Sequence, residues 1–257
     1  MSDVPAMTAL VEQYAHEVSS RLAELSSRAR SGAFDPAIHL LATSIETGGV
    51  IHAFGTGHSE AFAMEMSGRV GGLIPTSRIV LRDLVMRGGK PIDILRGSSL
   101  ERDSSIAADL YALVNTQPPD AFVIASSSGV NGSTVELARL AKSDGHPVIA
   151  VTSLAHTMRV PPRHPSGQRL ADVADVVIDN LAPYGDATTR LGDHGDMGAV
   201  SSITAAYIAQ LLTIGVAREL AAADRTPPIY LSANIPGGDD HNRALEAPYL
   251  DRIRREA

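Results

Sequence analysis

Apolar residues recur at three- and four-residue spacing through positions 7–30 (Val11, Tyr14, Val18, Leu22 and Leu25), with Glu12, Glu17, Arg21 and Glu24 between them. This is the pattern of an amphipathic helix. Gly32 ends it, and Asp35-Pro36 opens a second, shorter helix through Ile45. After Gly48-Gly49 the period changes. Positions 50–54, 121–125 and 148–151 are short apolar runs without alternation, and 176–178 is a briefer one. Such runs suit parallel strands buried on both faces. Between them, 133–143 reads as a helix, with Ser133 and Glu136 at capping-box spacing and Gly145 at its carboxyl end. Positions 201–223 form a long apolar helix, and 229–231 add a candidate edge strand.

Strands alternating with helices predict a parallel sheet between helical layers. The expected fold is a three-layer α/β/α sandwich, flavodoxin-like or Rossmann-like, on a mainly parallel sheet of about five strands. No repeat or linker divides the chain. One domain over 1–257 is expected, with an N-terminal helical extension (about 1–34) and a C-terminal tail (about 235–257).

Composition narrows the function. A chain of 257 residues, 44% of them apolar, can bury a sizeable core. Its 22 Lys and Arg against 29 Asp and Glu disfavour nucleic acid as a partner, because phosphodiester binding needs a basic face. The absence of cysteine excludes a disulfide framework, a thiolate metal site and a Cys nucleophile. No apolar run approaches the roughly 18 residues of a membrane helix, and the first residues lack the pattern of a signal peptide. A cytoplasmic protein with neither a membrane nor a nucleic-acid partner is expected.

Two segments each follow an apolar strand and open a helix: Gly55-Thr56-Gly57-His58-Ser59-Glu60 and Ser126-Ser127-Ser128-Gly129-Val130-Asn131-Gly132-Ser133. In a parallel sheet, ligands lie outside the carboxyl ends of the strands, where such loops converge. Small residues let backbone N–H groups approach an anion, helix N-termini add partial positive charge, and hydroxyls donate further bonds. Gly and Ser are also ordinary turn residues, but two such loops at strand-to-helix junctions point to one phosphate cradle. Ser59, Ser126, Ser128, Gly129 and Asn131 would hold the phosphate, with Gly57, His58 and Ser127 beside it.

Other phosphate motifs fit less well. A dinucleotide fingerprint requires glycine where Glu60 stands, although Asp83 lies at a plausible distance for a ribose-binding acid. There is no Walker-type Gly-Lys-Ser/Thr run, and no Gly-x-Ser-x-Gly elbow for serine hydrolysis. The His-carboxylate clusters Asp193-His194-Gly195-Asp196 and Asp239-Asp240-His241 lack the His-x-x-x-His spacing of a zinc enzyme. Neither a metal nor a cofactor is expected.

The two loops resemble those of the SIS (sugar isomerase) domain family of phosphosugar isomerases and phosphosugar-binding proteins. Ser126 to Asn131 is similar to that family's Ser-x-Ser-Gly-x-Thr phosphate loop, with Asn131 in place of threonine. The likeness spans about 35–235 and looks closest to an uncharacterised bacterial subgroup. In that subgroup Ser166-Gly167, Asp179-Asn180, Gly185-Asp186 and the Asn234…His241-Asn242 segment also recur. The family contains isomerases, an N-acetylmuramic acid 6-phosphate etherase and regulators without catalysis, so the resemblance implies a phosphosugar ligand and leaves the reaction open.

The enzymes of the family remove a proton beside a sugar carbonyl, which requires a carboxylate or His as base and a second group to protonate an oxygen. Glu65, in Glu65-Met66-Ser67-Gly68-Arg69, is similar to the base of sedoheptulose-7-phosphate isomerases. It also stands at ion-pair spacing from Arg69. Glu101 resembles the glutamate that opens a helix in the etherases, and is equally suited to a plain helix-start position. Of the histidines, His241 is favoured, because the late tail of the family's enzymes completes a site across the dimer. His58, His194 and His164 are further possibilities, while His16, His39, His52, His146 and His156 read as structural or surface residues.

Three activities follow from the resemblance. The first is a lyase that takes the C2 proton of an amino- or N-acetylamino-sugar 6-phosphate such as N-acetylglucosamine 6-phosphate and expels the C3 oxygen, a dehydration. The second is aldose–ketose isomerisation, and the third is sensing without turnover. Apolar surface on the first and last long helices predicts a homodimer or a dimer of dimers.

Overall fold

The computed structural model describes residues 4–254. In chain order the elements are α1 (Met7–Arg30), α2 (Asp35–Glu46), β1 (Ile51–Gly55), α3 (Glu60–Met66), β2 (Thr76–Ile79), α4 (Asp83–Met86), α5 (Ser99–Arg102), α6 (Ile106–Ala112) and β3 (Ala121–Ala125). There follow α7 (Gly132–Ser143), β4 (Val148–Thr152), α8 (Leu154–Thr157), α9 (Leu170–Val173), β5 (Val176–Asp179), β6 (Ala187–Arg190), β7 (Asp196–Ala199), α10 (Ser201–Ala222) and α11 (Gly238–Glu246).

The apolar runs are strands because every residue of β1, β3 and β4 is buried. Successive side chains of a strand point to opposite faces, and the core divides accordingly. Ala121, Val123 and Ala125 belong to one cluster with Leu41 of α2, Phe62 of α3 and Leu212 of α10. Phe122 and Ile124 belong to a second, with Leu110 of α6 and Leu137 of α7. The result is the expected three-layer sandwich. Its five strands are all parallel, in the order β2-β1-β3-β4-β5. This is the flavodoxin-like order, in which connections leave β1 in one direction and enter β3 in the other.

Three expectations are corrected. The fifth strand is β2, Thr-Ser-Arg-Ile, whereas 229–231 contribute only an antiparallel bridge from Ile229 to Leu73. Polar residues on an edge strand hide its period. Helix α7 begins at Gly132 with Asn131 as N-cap and has no capping box. Ser133 instead donates to the carbonyl of Glu101 (2.7 Å), and Glu136 meets His164 Nε2 (2.8 Å). Finally, α10 is long and apolar enough to cross a membrane by composition, contrary to the sequence reading. It packs against α2, α3 and α1, and nine of its residues are buried in the fold.

Candidate functional site

The two glycine- and serine-rich loops leave β1 and β3, the adjacent strands at which the sheet's connections diverge. That is where a doubly wound sheet opens a crevice. Gly55 permits the first turn to close, since a Cβ there would stand 2.2 Å from the carbonyl oxygen of Ser59. In the second loop Gly129 has φ +63°, and a Cβ would lie 2.9 Å from Thr152 Oγ1 and 3.0 Å from Thr157 Oγ1. Ser126 Oγ accepts the Gly129 N–H (3.1 Å), and Ser127 Oγ accepts from Asn180 Nδ2 (3.2 Å), which holds the loop in shape.

His58 and Ser59 from the first loop, and Ser126 and Ser127 from the second, line one small cavity. Its free volume of about 10 Å³ is room for about one water-sized group, so it suits one oxygen of a tetrahedral anion. Among the described residues the N–H groups of Ser127, Ser128 and Val130 have no acceptor within the chain, and neither the Ser59 nor the Ser128 hydroxyl is bonded. No side chain caps α7, a 12-residue helix whose first-turn N–H groups therefore face the loop. Asn131 Oδ1 accepts from Arg163 (3.2 Å), which leaves the amide N–H₂ as the donor end in the place of a threonine hydroxyl. The arrangement can bind an anion without a lysine in it.

Glu101 arrives by tertiary packing. Gly132 lets the backbone of the α5–α6 turn approach, for a Cβ there would meet the carbonyl of Arg102 at 2.2 Å. With the Ser133 to Glu101 bond, this fixes α5 on the start of α7. The Glu101 carboxylate then stands 3.5 Å from where a Cβ on Gly57 would be. Gly57 and Glu101 share a second cavity of about 260 Å³ with Glu60, Leu81, Arg82, Leu95, Gly97, Ser98 and Leu100. Its Gly57 directly precedes His58, which lines the first cavity.

The other candidates lie outside these two cavities. Glu65 faces α10, where its Oε1 accepts from Gln210 Nε2 (2.6 Å), and it also pairs with Arg69. His241 on α11 is bonded through Nε2 to the carbonyl of Ile229 (3.0 Å). His164 is buried between Glu136 and Ser166, a structural position. His194 lies in the turn between β6 and β7. Asn180, Ser201 and Ser202 do line the loop cavity. Of these, Asn180 lay within a recurring motif with no role attached, and the serines are ordinary helix-start residues by sequence. Among the described residues no group of three or more His, Asp or Glu is gathered as a metal ion requires.

Comparison with known proteins gives a family, close relatives and a fold. The SIS domain model matches residues 13–153. A UPF0309 protein of Geobacillus sp. (strain WCH70) is 34% identical over 248 residues, covering 95% of this chain and 97% of the relative. A UPF0309 protein of Listeria monocytogenes serovar 1/2a is 35% identical over 233 residues, covering 90% and 94%. Among solved structures, a phosphoheptose isomerase from Francisella tularensis superposes with TM-score 0.57 at 15% identity, over 83% of this chain and all of that one. An E. coli CFT073 protein in complex with A5P gives TM-score 0.53 at 15% identity, over 84% and 92%. At these identities the structural likeness is one of fold.

Proposed function

This chain belongs to the SIS domain family, with the fold of its phosphosugar isomerases, and from that premise we propose that it is an enzyme acting on an amino- or N-acetylamino-sugar 6-phosphate. The phosphate sits between the loops, on Ser59, Ser128, the second-loop N–H groups and Asn131. The open-chain sugar runs toward Glu101. That carboxylate removes the C2 proton, and the electron pair is held as an enolate on the C1 oxygen. The pair then forms a C2–C3 double bond as the C3 hydroxyl leaves with a proton from an acid, as water. The acid is Glu65 or His241; both lie outside the two cavities within one chain, so either would be supplied by a second copy of the chain in a homodimer or dimer of dimers.

The observation carrying this reading is the position of Glu101 beside Gly57, on an element fastened to the start of the phosphate-loop helix. A carboxylate fixed to the same helix as the anion cradle keeps a constant distance from the phosphate, as a base acting at one carbon requires. Incubation with N-acetylglucosamine 6-phosphate in deuterated water tests it. C2 exchange and an unsaturated product are expected, and their absence defeats the lyase.

Aldose–ketose isomerisation is the second reading. It is favoured by Glu65, whose carboxylate is held by Gln210 as a positioned base would be. A ketose phosphate product abolished by Glu65→Gln and tolerant of Glu101→Gln would select it. Binding without turnover, unaffected by Glu101→Gln, would select a sensor.

A further inference from the structure

A third cavity, of about 260 Å³, lies outside both glycine- and serine-rich loops. Its wall includes Ser77 of β2, Arg87 after α4, Asn115 after α6, and Asp251, Arg252 and Arg254 beyond α11. Two of the arginines already have partners. Arg254 pairs with buried Asp83, and the tips of Arg252 go to Asp120 and, at 2.9 Å, to the carbonyl of Gly48. Other donors in the wall are left over. The Arg252 side chain is 8% exposed, yet its Nε is buried without a hydrogen-bond partner. Arg87 is exposed, and among the described residues its guanidinium, the Ser77 hydroxyl and the Asn115 side-chain amide have no partner.

A guanidinium N–H buried without an acceptor is costly, and such groups in folded proteins are satisfied by water or a ligand. Arginine can only donate, and two of the four free groups belong to arginines. The four come from separate segments: β2, the turns after α4 and α6, and the chain beyond α11. A cation has no place among them. A phosphate does, because its oxygens accept several charge-assisted bonds at once. Asp251, the acid in the wall, is exposed, where solvent and salt screen its charge. We infer that this cavity is a second anion site, separate from the cradle and independent of the sugar chemistry proposed above, and that its ligand is inorganic phosphate. The volume is below the roughly 300 Å³ at which pockets for drug-sized molecules begin, and suits a small anion. Bound there, phosphate ties β2 and the turn after α4 to the chain beyond α11, whose arginines pair with Asp83 and Asp120. Occupancy therefore stabilises the fold by mass action.

Isothermal titration of the full-length protein with inorganic phosphate, at an ionic strength held constant with chloride, tests it. Two phosphates should bind per chain. Gly129→Ala weakens the one in the cradle and leaves the other. Arg87→Gln, at an exposed position outside the cradle, should weaken that other site about tenfold or more, the scale of a charge-assisted bond. Asn115→Ala, also exposed, should weaken it less. Phosphate should raise the melting temperature of Gly129→Ala, and the added Arg87→Gln should remove that rise. A single phosphate, weakened by Gly129→Ala and indifferent to Arg87→Gln, shows that the cavity holds water only; it overturns this site and leaves the cradle standing. Binding of acetate as tight as that of phosphate in Gly129→Ala overturns the phosphate assignment. A single phosphate lost in Arg87→Gln and kept in Gly129→Ala supports this site and counts against the cradle. No phosphate bound at all overturns this site outright.

Discussion

Strand β3 joins two sites of opposite character. At its amino end Asp120 is fully buried and saturated: Oδ1 accepts the Val50 N–H (2.8 Å) and Arg252, while Oδ2 accepts the Gln117 N–H (2.9 Å) and meets His52 Nε2 (3.0 Å). At its carboxyl end the Ser127, Ser128 and Val130 N–H groups and the Ser128 hydroxyl have no partner among the described residues. A buried charge without partners costs several kcal/mol, so the first site has to be closed. Donors that can reach solvent, as on half-buried Ser127 and Ser128, are cheap to leave open, and they are what a ligand needs. One end of the sheet spends its polar groups on stability, and the other leaves them open, as the proposed binding site requires.

Four experiments sharpen this contrast or break it. Glu101→Gln should lower turnover by about 10²–10⁴-fold, the scale of a general base, roughly 3–5 kcal/mol of barrier, with the melting temperature unchanged. A stability loss in place of an activity loss would show that the carboxyl end is structural after all. Asp120→Ala strips the partner from buried Arg252 and should cost about 3–5 kcal/mol in urea unfolding, while the surviving folded protein keeps its phosphosugar affinity. Loss of that affinity would mean that the two ends are coupled.

Gly129→Ala introduces a side chain at positive φ against two threonine hydroxyls and should cost about 1–3 kcal/mol, together with a weakened response to inorganic phosphate in calorimetry. The smallest effect is that of pH. Burial lowers the His52 pKa below 6.5, more than its bond to Asp120 raises it. The unfolded chain then binds the extra proton first. Stability is complete above about pH 6.5 and falls as pH drops toward the folded value. Asp120 is held below 3.8 although burial alone would raise it, because His52 and the Val50 and Gln117 N–H groups favour its charged form, and it adds a second loss in stronger acid. Urea midpoints at pH 7.5 and 5 should therefore decline, and less steeply in His52→Gln.

The sequence made the central strands and both loops legible because each is contiguous. An apolar run of five residues buried on both faces has few other folds open to it, and the small residues that follow must turn. His52 and His146 read as structural, and both are buried, with Phe122 packed against each ring. The edge strand β2 was missed, since Thr76, Ser77 and Arg78 carry no strand pattern. The hairpin of β6 and β7 was missed for the same reason. Asn180 and Ser201 reach the cradle from about 50 and 75 positions after Ser126, a proximity that no local pattern encodes.

What the chain determines by itself is local: which runs must be buried, where the backbone must bend, and which groups carry protons or charge. Which of those groups meet was decided only by tertiary structure. Glu101 and Glu65 were comparable carboxylates in the sequence. Packing at Gly132 placed the first beside Gly57 of the first loop, while α10 engaged the second through Gln210. Hydrogen bonding and charge act over a few ångströms, and only the folded chain brings residues far apart in sequence within that distance.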